Sequence, residues 1–195
     1  MRVRGGGILM IIGLTGYAQS GKDTVAKILV EQYGYERVAF ADPIKTLIYM
    51  VNPMVGAVSN EPVYLKTMVD QLGWENAKQL PEIRRLLQEL GVSARTMFGP
   101  QFWVHEAMKT MLKDPKVDLK YVVTDVRFLN EADMLKANNG QIWRVKRPGV
   151  DAVNSHVSES QMDDYKVDQI FANNSSIEDL ELMVKTRMQG VLSHG

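Results

Sequence analysis

A chain of 195 residues with 45% apolar side chains has the size and composition of one ordinary domain with a full core. Its 23 basic and 23 acidic side chains cancel to a formal charge of zero, which removes the global signal of a nucleic-acid binder or of a protein drawn to an anionic membrane. There is no cysteine, which excludes disulfides, thiolate metal sites and a cysteine nucleophile and fits a reducing cytoplasm. No apolar run reaches the length of a membrane-spanning helix.

In chain order, residues 1–7 read as a flexible leader, with Met10 as an alternative start. The apolar run that follows is short, lacks a cleavage site and leads straight into a glycine loop, so it reads as a core strand over Ile8 to Thr15 rather than a signal peptide. A helix is predicted over Lys22 to Tyr33, stopped by Gly34. Glu36 to Ala41 is predicted as a short strand, and Asp42-Pro43 as the cap and first turn of a helix to about Met50. Residues 52–62, with Pro53, Gly56, Asn60 and Pro62, read as a loop. Helices are predicted over Pro62 to Leu72, over Pro81 to Leu90 with Gly91 closing it, and over Gln101 to Leu112. Leu119 to Thr124 is a predicted buried strand, Glu131 to Asn138 a helix, Ile142 to Lys146 a strand and 149–165 a polar loop. Gln169 to Ala172 is the last strand, and Ser176 to Met188 the last helix, capped by Ser175 or Ser176. This alternation predicts an α/β fold: a parallel sheet of roughly five strands with helices on both faces. Ligands bind such sheets at the carboxyl ends of the strands, so Lys22, Asp42, Asp125, Arg127 and Arg147 should converge on one cleft.

The first strand, Gly16 to Thr24 and the helix after it have the layout of a phosphate-binding P-loop. Gly16 and Gly21 let the backbone curl so that several N–H groups face one hollow at the positive end of a helix. Lys22 can reach the β- and γ-phosphates of a nucleoside triphosphate. The residue after this lysine is commonly Ser or Thr, a ligand of Mg²⁺; here it is Asp23, with the hydroxyl one place later at Thr24. A carboxylate is also a hard oxygen ligand, so Asp23 is a candidate for the metal.

The Asp125-Val126-Arg127 sequence ends an apolar strand, where P-loop enzymes place a carboxylate for Mg²⁺ or substrate; Arg127 could clamp a phosphate. Asp125 and Arg127 could equally form a pair that only caps the next helix. Arg84 and Gln88 are four apart on one helix face, where an arginine can grip a second phosphate and an amide can read a base edge. The indole N–H of Trp103 needs a partner, which makes it a candidate for a pocket lining, whereas Phe98 and Phe102 read as core. Arg144, Lys146 and Arg147 stand at the base of a polar loop suited to a lid that excludes water, with His156 in a structural or lid-orienting role.

These motifs, taken in order, resemble one family. They are Gly16 to Thr24, Phe40 to Lys45, Arg84 to Gly91, Phe102 to Val104, Val122 to Arg127, Arg144 to Gly149, His156 to Glu159 and Asn173 to Leu180. The chain resembles, over nearly its whole length, the bacteriophage deoxynucleoside monophosphate kinases. The resemblance implies a three-layer P-loop domain over 8–195, with an NMP-binding helical part at about 43–112 and a lid at about 148–165. It implies transfer of the γ-phosphoryl group of ATP, with Mg²⁺, to a dNMP in an infected bacterial cytoplasm, in support of phage DNA synthesis.

The same likeness assigns residues. Lys22, Arg127 and Arg147 become catalytic, Arg147 as the lid cation. Gly16, Ala18, Ser20, Gly21, Lys22, Asp23 and Thr24 hold the ATP phosphates, with Asn173 and Asn174 near the adenine. Asp42, Lys45, Arg84, Arg85, Gln88, Gly91, Trp103, Asp125, Arg127 and Glu131 form the acceptor site, and Asp23 and Asp125 are the metal candidates. Two departures stand out: Val92 where the family often has Thr after the helix glycine, and Asn173-Asn174-Ser175 where it often has Asn-Asp-Gly. Expected partners are ATP and a dNMP, without nucleic acid or membrane, and a homodimer is among the oligomeric options. Alternatives are a small-molecule kinase like dephospho-coenzyme A kinase, and a non-catalytic ATP-binding regulatory module.

Overall fold

The computed structural model describes residues 9–112, 119–149 and 161–193. The expected leader, Ile8, His156 and the middle of the expected lid lie outside the described residues. The chain forms two compact units, Met1–Ala39 with Lys109–Gly195, and Phe40–Met108.

The first unit holds β1 (Leu9–Thr15), α1 (Lys22–Tyr33), β2 (Glu36–Val38), β5 (Leu119–Val123), α6 (Leu129–Ala137), β6 (Gln141–Lys146), β7 (Gln169–Ala172) and α7 (Ile177–Ser193). Its five strands run in the order β2-β5-β1-β6-β7, and every neighbouring pair is parallel. Alternation along β1 divides the sheet's two faces. Ile12 and Leu14 join Val25, Leu29, Trp143 and Leu180 in the core beneath α1 and α7. Gly13 faces the other way, and a Cβ there would lie 2.6 Å from Leu135 Cδ1 of α6, so the missing side chain lets that helix close on the sheet. Each fully buried aliphatic or aromatic side chain of this core contributes about 1.5–3 kcal/mol.

Because all five strands are parallel, β1, β5, β6 and β7 deliver the residues after Thr15, Val123, Lys146 and Ala172 to one edge of the sheet. The predicted strands and helices of this unit are present with ends shifted by a few residues. β2 stops at Val38 instead of Ala41, and α7 continues to Ser193. Ser176 caps α7: its hydroxyl accepts the Asp179 N–H at 3.2 Å.

The second unit holds α2 (Asp42–Val51), β3 (Met54–Val58), β4 (Glu61–Tyr64), α3 (Leu65–Ala77) and α4 (Pro81–Phe98), and the unit boundary falls within α5 (Phe102–Leu112). Ile48, Leu65, Val69, Ala77 and Ile83 form its core. Three expectations are corrected here. The predicted loop 52–62 is an antiparallel hairpin, β3 with β4, turned by Ser59 and Asn60 at positive φ. Asp42 is not the cap of α2; it occupies the first turn after Ala41. Gly91 does not close its helix, because α4 runs on to Phe98 with Gly91 buried in its interior.

Candidate active site

The P-loop connects the carboxyl end of β1 to α1. Gly16 sits at φ 133°, Gln19 at φ 61° and Gly21 at φ 109°, a backbone path in which glycine avoids the Cβ clash. A Cβ at Gly16 would lie 2.3 Å from the Val145 carbonyl, so β6 and the loop approach too closely for any other residue. Ser20 N–H donates to Tyr17 O at 3.2 Å and closes the turn. Gly21, at the head of α1, supplies no side-chain cap, which leaves the first amides of the helix for an anion. The Lys22 ammonium reaches back over the loop to the carbonyls of Gly16 at 2.7 Å and Tyr17 at 2.6 Å.

A cavity of about 540 Å³ opens here, lined wholly by the first unit. Gly16, Ala18, Ser20 and Lys22 form its loop side; Asp125 and Arg127 reach it from the end of β5, and Lys146 and Arg147 from the end of β6; Asn174 follows β7. Four of the five residues expected to converge after the strands, Lys22, Asp125, Arg127 and Arg147, line this one cavity. The fifth, Asp42, belongs to the second unit, where it pairs with Lys45 at 3.6 Å. Asp23 is exposed on α1 and is not part of the cavity lining, nor is Thr24. Ser20 Oγ is buried without a hydrogen-bond partner among the described residues.

Glu131 is 2% exposed, and its carboxylate accepts the backbone N–H groups of Arg127 at 2.8 Å and Phe128 at 3.1 Å. It therefore closes the N-terminus of α6 and fixes the backbone that carries Arg127. Asn173 is likewise engaged in the scaffold, through Ser20 and Lys146. Sequence reasoning overlooked Tyr17, whose hydroxyl donates to Asp163 at 2.7 Å. It also treated Arg144 only as part of a basic lid base. Arg144 is buried, and its guanidinium donates to the carbonyls of Met162, Asp163 and Tyr165, which holds that turn at the cavity edge. A charged residue between Trp143 and Val145 in a buried strand was the available signal. Burial, helped by a hydrogen bond to Asp133, raises the Tyr165 phenol to about 12.

In the second unit, Arg84 and Gln88 are exposed on α4, and Arg84 donates to Gln79 Oε1 at 3.0 Å. Arg85 is committed elsewhere: it bonds both Glu82 oxygens and Glu89 at 2.6–2.8 Å. The hydrogen bonds to Glu82 first, then Glu89, lift the guanidinium above its usual range, and Arg85 in turn holds Glu82 below the usual carboxylate range. Trp103 is buried, and its indole N–H donates to the Gly91 carbonyl at 3.0 Å. Its partner is thus a backbone group of its own unit. Phe98, expected in the core, is exposed and stacks on Phe102 with ring centroids 5.0 Å apart.

A lysine-bearing glycine loop between the central strand of a parallel sheet and a helix, with cations at the neighbouring strand ends, defines a P-loop phosphotransferase. The chain belongs to the deoxynucleotide monophosphate kinase family, whose profile matches residues 63–184, more than half of the chain. It is similar to a protein of Acanthamoeba polyphaga mimivirus assigned the same activity, at 28% identity over 88% of this chain and 92% of that one. It is also similar to the deoxynucleotide monophosphate kinase of Escherichia phage RB69, at 29% identity over 50% of this chain and 41% of that one. Among solved structures, a shikimate kinase from Aquifex aeolicus aligns over 95% of this chain and 100% of that one at TM-score 0.47 and 13% identity, too distant for residue roles to be carried over. Family membership makes the chain an ATP-dependent nucleotide kinase, in preference to a dephospho-coenzyme A kinase or a regulatory module. Among the described residues, no helix is long and apolar enough to cross a membrane.

Proposed function

We propose that the chain transfers the γ-phosphoryl group of ATP to a dNMP with the P-loop cavity as donor site. The observation that carries this reading is the gathering of Lys22, Arg127 and Arg147 around one cavity with Asp125. Gly16, Ala18, Ser20, Gly21 and Lys22 would hold the ATP phosphates, and Asn174 would border the nucleoside end. Lys45, Arg84 and Gln88, with Asp42 orienting Lys45, would receive the dNMP.

In the reaction, an oxygen of the acceptor phosphate bonds to the γ-phosphorus as the bond from that phosphorus to the β–γ bridging oxygen breaks, leaving ADP and dNDP. The nucleophile is already an anionic oxygen, so no strong general base is needed; positioning and charge neutralisation dominate. Lys22, Arg127 and Arg147 supply that neutralisation.

The cavity's donor set fits Mg²⁺: the Asp125 carboxylate is a hard oxygen donor on its lining, and the buried Ser20 hydroxyl of the same loop has no hydrogen-bond partner among the described residues. When bound with ATP, the metal would add charge neutralisation at the phosphates. The exposed position of Asp23 favours Asp125 over Asp23 as the protein ligand. A host bacterial cytoplasm, with nucleotide supply for phage DNA synthesis, is supported by the phage relative and by the cysteine-free composition.

The test is a coupled ADP-release assay with ATP–Mg²⁺ against dTMP, dGMP, dCMP, dAMP and their ribo counterparts. Turnover with one or more dNMPs is expected. ATP binding without turnover on any of them would overturn the reading.

A further inference from the structure

The turn after β7 touches the phosphate loop at one side chain. Asn173 Nδ2 donates to the Ser20 carbonyl at 2.9 Å, across 153 residues of sequence. The Asn173 backbone N–H donates to the Lys146 carbonyl at 2.7 Å, at the end of β6. The same amide occupies the space beside Gly21, where an added Cβ would lie 2.5 Å from Nδ2. One residue therefore links the phosphate loop, through its side chain, to the strand end that leads into Arg147, through its backbone N–H.

We infer that Asn173 is a positioning residue of the phosphate loop and not a reader of the donor's base. This rests on the donor-site reading above and deepens it. The peptide unit between Ser20 and Gly21 is planar, with its C=O and N–H pointing in opposite directions. A donor fixed on the Ser20 carbonyl thus fixes the direction of the Gly21 N–H, which points away from Asn173. That amide precedes Lys22 at the head of α1, where the backbone is aimed at an anion. Gly21 at φ 109° lacks the Cβ that would restrict this peptide, so the orientation depends on an outside donor. Asn173 is that donor, and its register is set by the Lys146 bond at the end of the sheet.

The experiment compares wild type with Asn173→Ala and with Asn173→Asp, which keeps the size but replaces the donor N–H₂ by an acceptor facing the Ser20 carbonyl. Amide hydrogen exchange is measured on the ligand-free enzymes, and the affinities for ATP and for inorganic tripolyphosphate, which has no base, are measured by calorimetry. Loss of one hydrogen bond of ordinary net strength predicts faster exchange, by roughly five- to tenfold, at Ser20 and Val25, whose N–H groups are bonded to the carbonyls of Tyr17 and Gly21, with the sheet unchanged. The affinities for ATP and tripolyphosphate fall by a similar factor, and Asn173→Asp falls furthest. A base reader would lose ATP affinity while tripolyphosphate affinity and loop exchange stayed at wild-type values; that result overturns the inference, as does no change at all. Faster exchange across the whole sheet also overturns it, since that marks general support of the fold. Failure of wild type to bind either ligand would sink the donor-site reading, while the ligand-free exchange rates would still decide the role of Asn173.

Discussion

Glu131 holds Arg127 by the backbone: its carboxylate accepts the Arg127 N–H at 2.8 Å, and that of Phe128 at 3.1 Å, at the head of α6. Removing a partner from part-buried donors costs about 1–3 kcal/mol. Glu131→Ala is expected to lose that much stability and to lower kcat through a displaced Arg127. Glu131→Gln, which keeps an acceptor oxygen, is expected to recover most of both. Thermal unfolding and steady-state kinetics check this together. A variant of full stability whose only defect is a raised dNMP KM would instead make Glu131 an acceptor contact, as the family resemblance implies.

Lys22 bridges the carbonyls of Gly16 and Tyr17 at the mouth of the loop, so its charge is held where the phosphates of ATP are proposed to lie. Losing one cation aimed at transition-state charge costs roughly 10²-fold or more in kcat. Lys22→Ala is expected to show that loss with an unfolding free energy within about 0.5 kcal/mol of wild type, as for a change away from the core. Near-wild-type kcat in this variant removes Lys22 from the mechanism.

What the sequence showed and what it hid follow from the range of the interactions involved. The phosphate loop was legible because glycine, lysine, strand and helix are local neighbours between Leu9 and Tyr33. β5 and β6 were legible as buried runs. The β3–β4 hairpin was not: Pro53, Gly56 and Pro62 are turn signals, and only the pairing of Ala57 with Pro62 and Val58 with Glu61 turns that stretch into strands. Gly91 misled as a helix stop because a glycine's role depends on what packs beside it, here Ile44 of α2. Trp103 was read correctly as needing a partner, but the partner is a helix carbonyl that no spacing rule reveals. Glu131 and Asn173 were singled out for ligands because local sequence does not show that their polar atoms are already bonded to distant backbone.

Arg84 and Arg85 are adjacent yet differently engaged, which predicts an order of effects. Among the described residues Arg84 makes one neutral hydrogen bond, to Gln79, which it can exchange for a phosphate. Arg85 would first have to release two carboxylates. A charge-assisted contact to substrate is worth about 1.5–3 kcal/mol, or tenfold and upward in KM. Arg84→Ala is therefore expected to raise the dNMP KM at least tenfold, and Arg85→Ala to raise it less. The reverse order would place the acceptor phosphate on Arg85.

Asp179 links the start of α7 to acid sensitivity. Hydrogen bonds from the Ser175 hydroxyl first, then from the Ser176 backbone and hydroxyl, hold its carboxyl below the usual range. A depressed folded pKa gives stability that is present above the unfolded value of roughly 3.9 and is lost as pH falls through the folded one. Asp179→Asn removes this dependence. Denaturation midpoints of wild type and variant are expected to differ above about pH 4–5 and to converge in stronger acid. A constant difference down to the acid limit would show that the Asp179 charge is not involved.

Gly91 separates a packing role from a substrate role. It lies inside α4, where glycine is less favourable than alanine by about 0.5–1 kcal/mol. A Cβ there would meet Ile44 Cδ1 at 3.5 Å, an ordinary contact, and the carbonyl that receives the Trp103 indole is backbone and remains in place. Gly91→Ala is therefore expected to stabilise the protein, with a melting point higher by about 2–4 °C for each kcal/mol gained. A lower melting point would mean that α2 and α4 need the glycine to pack. A stabilised protein with a raised dNMP KM would mean that the methyl group reaches the acceptor nucleotide. Differential scanning calorimetry and a dNMP titration on the one variant distinguish these outcomes.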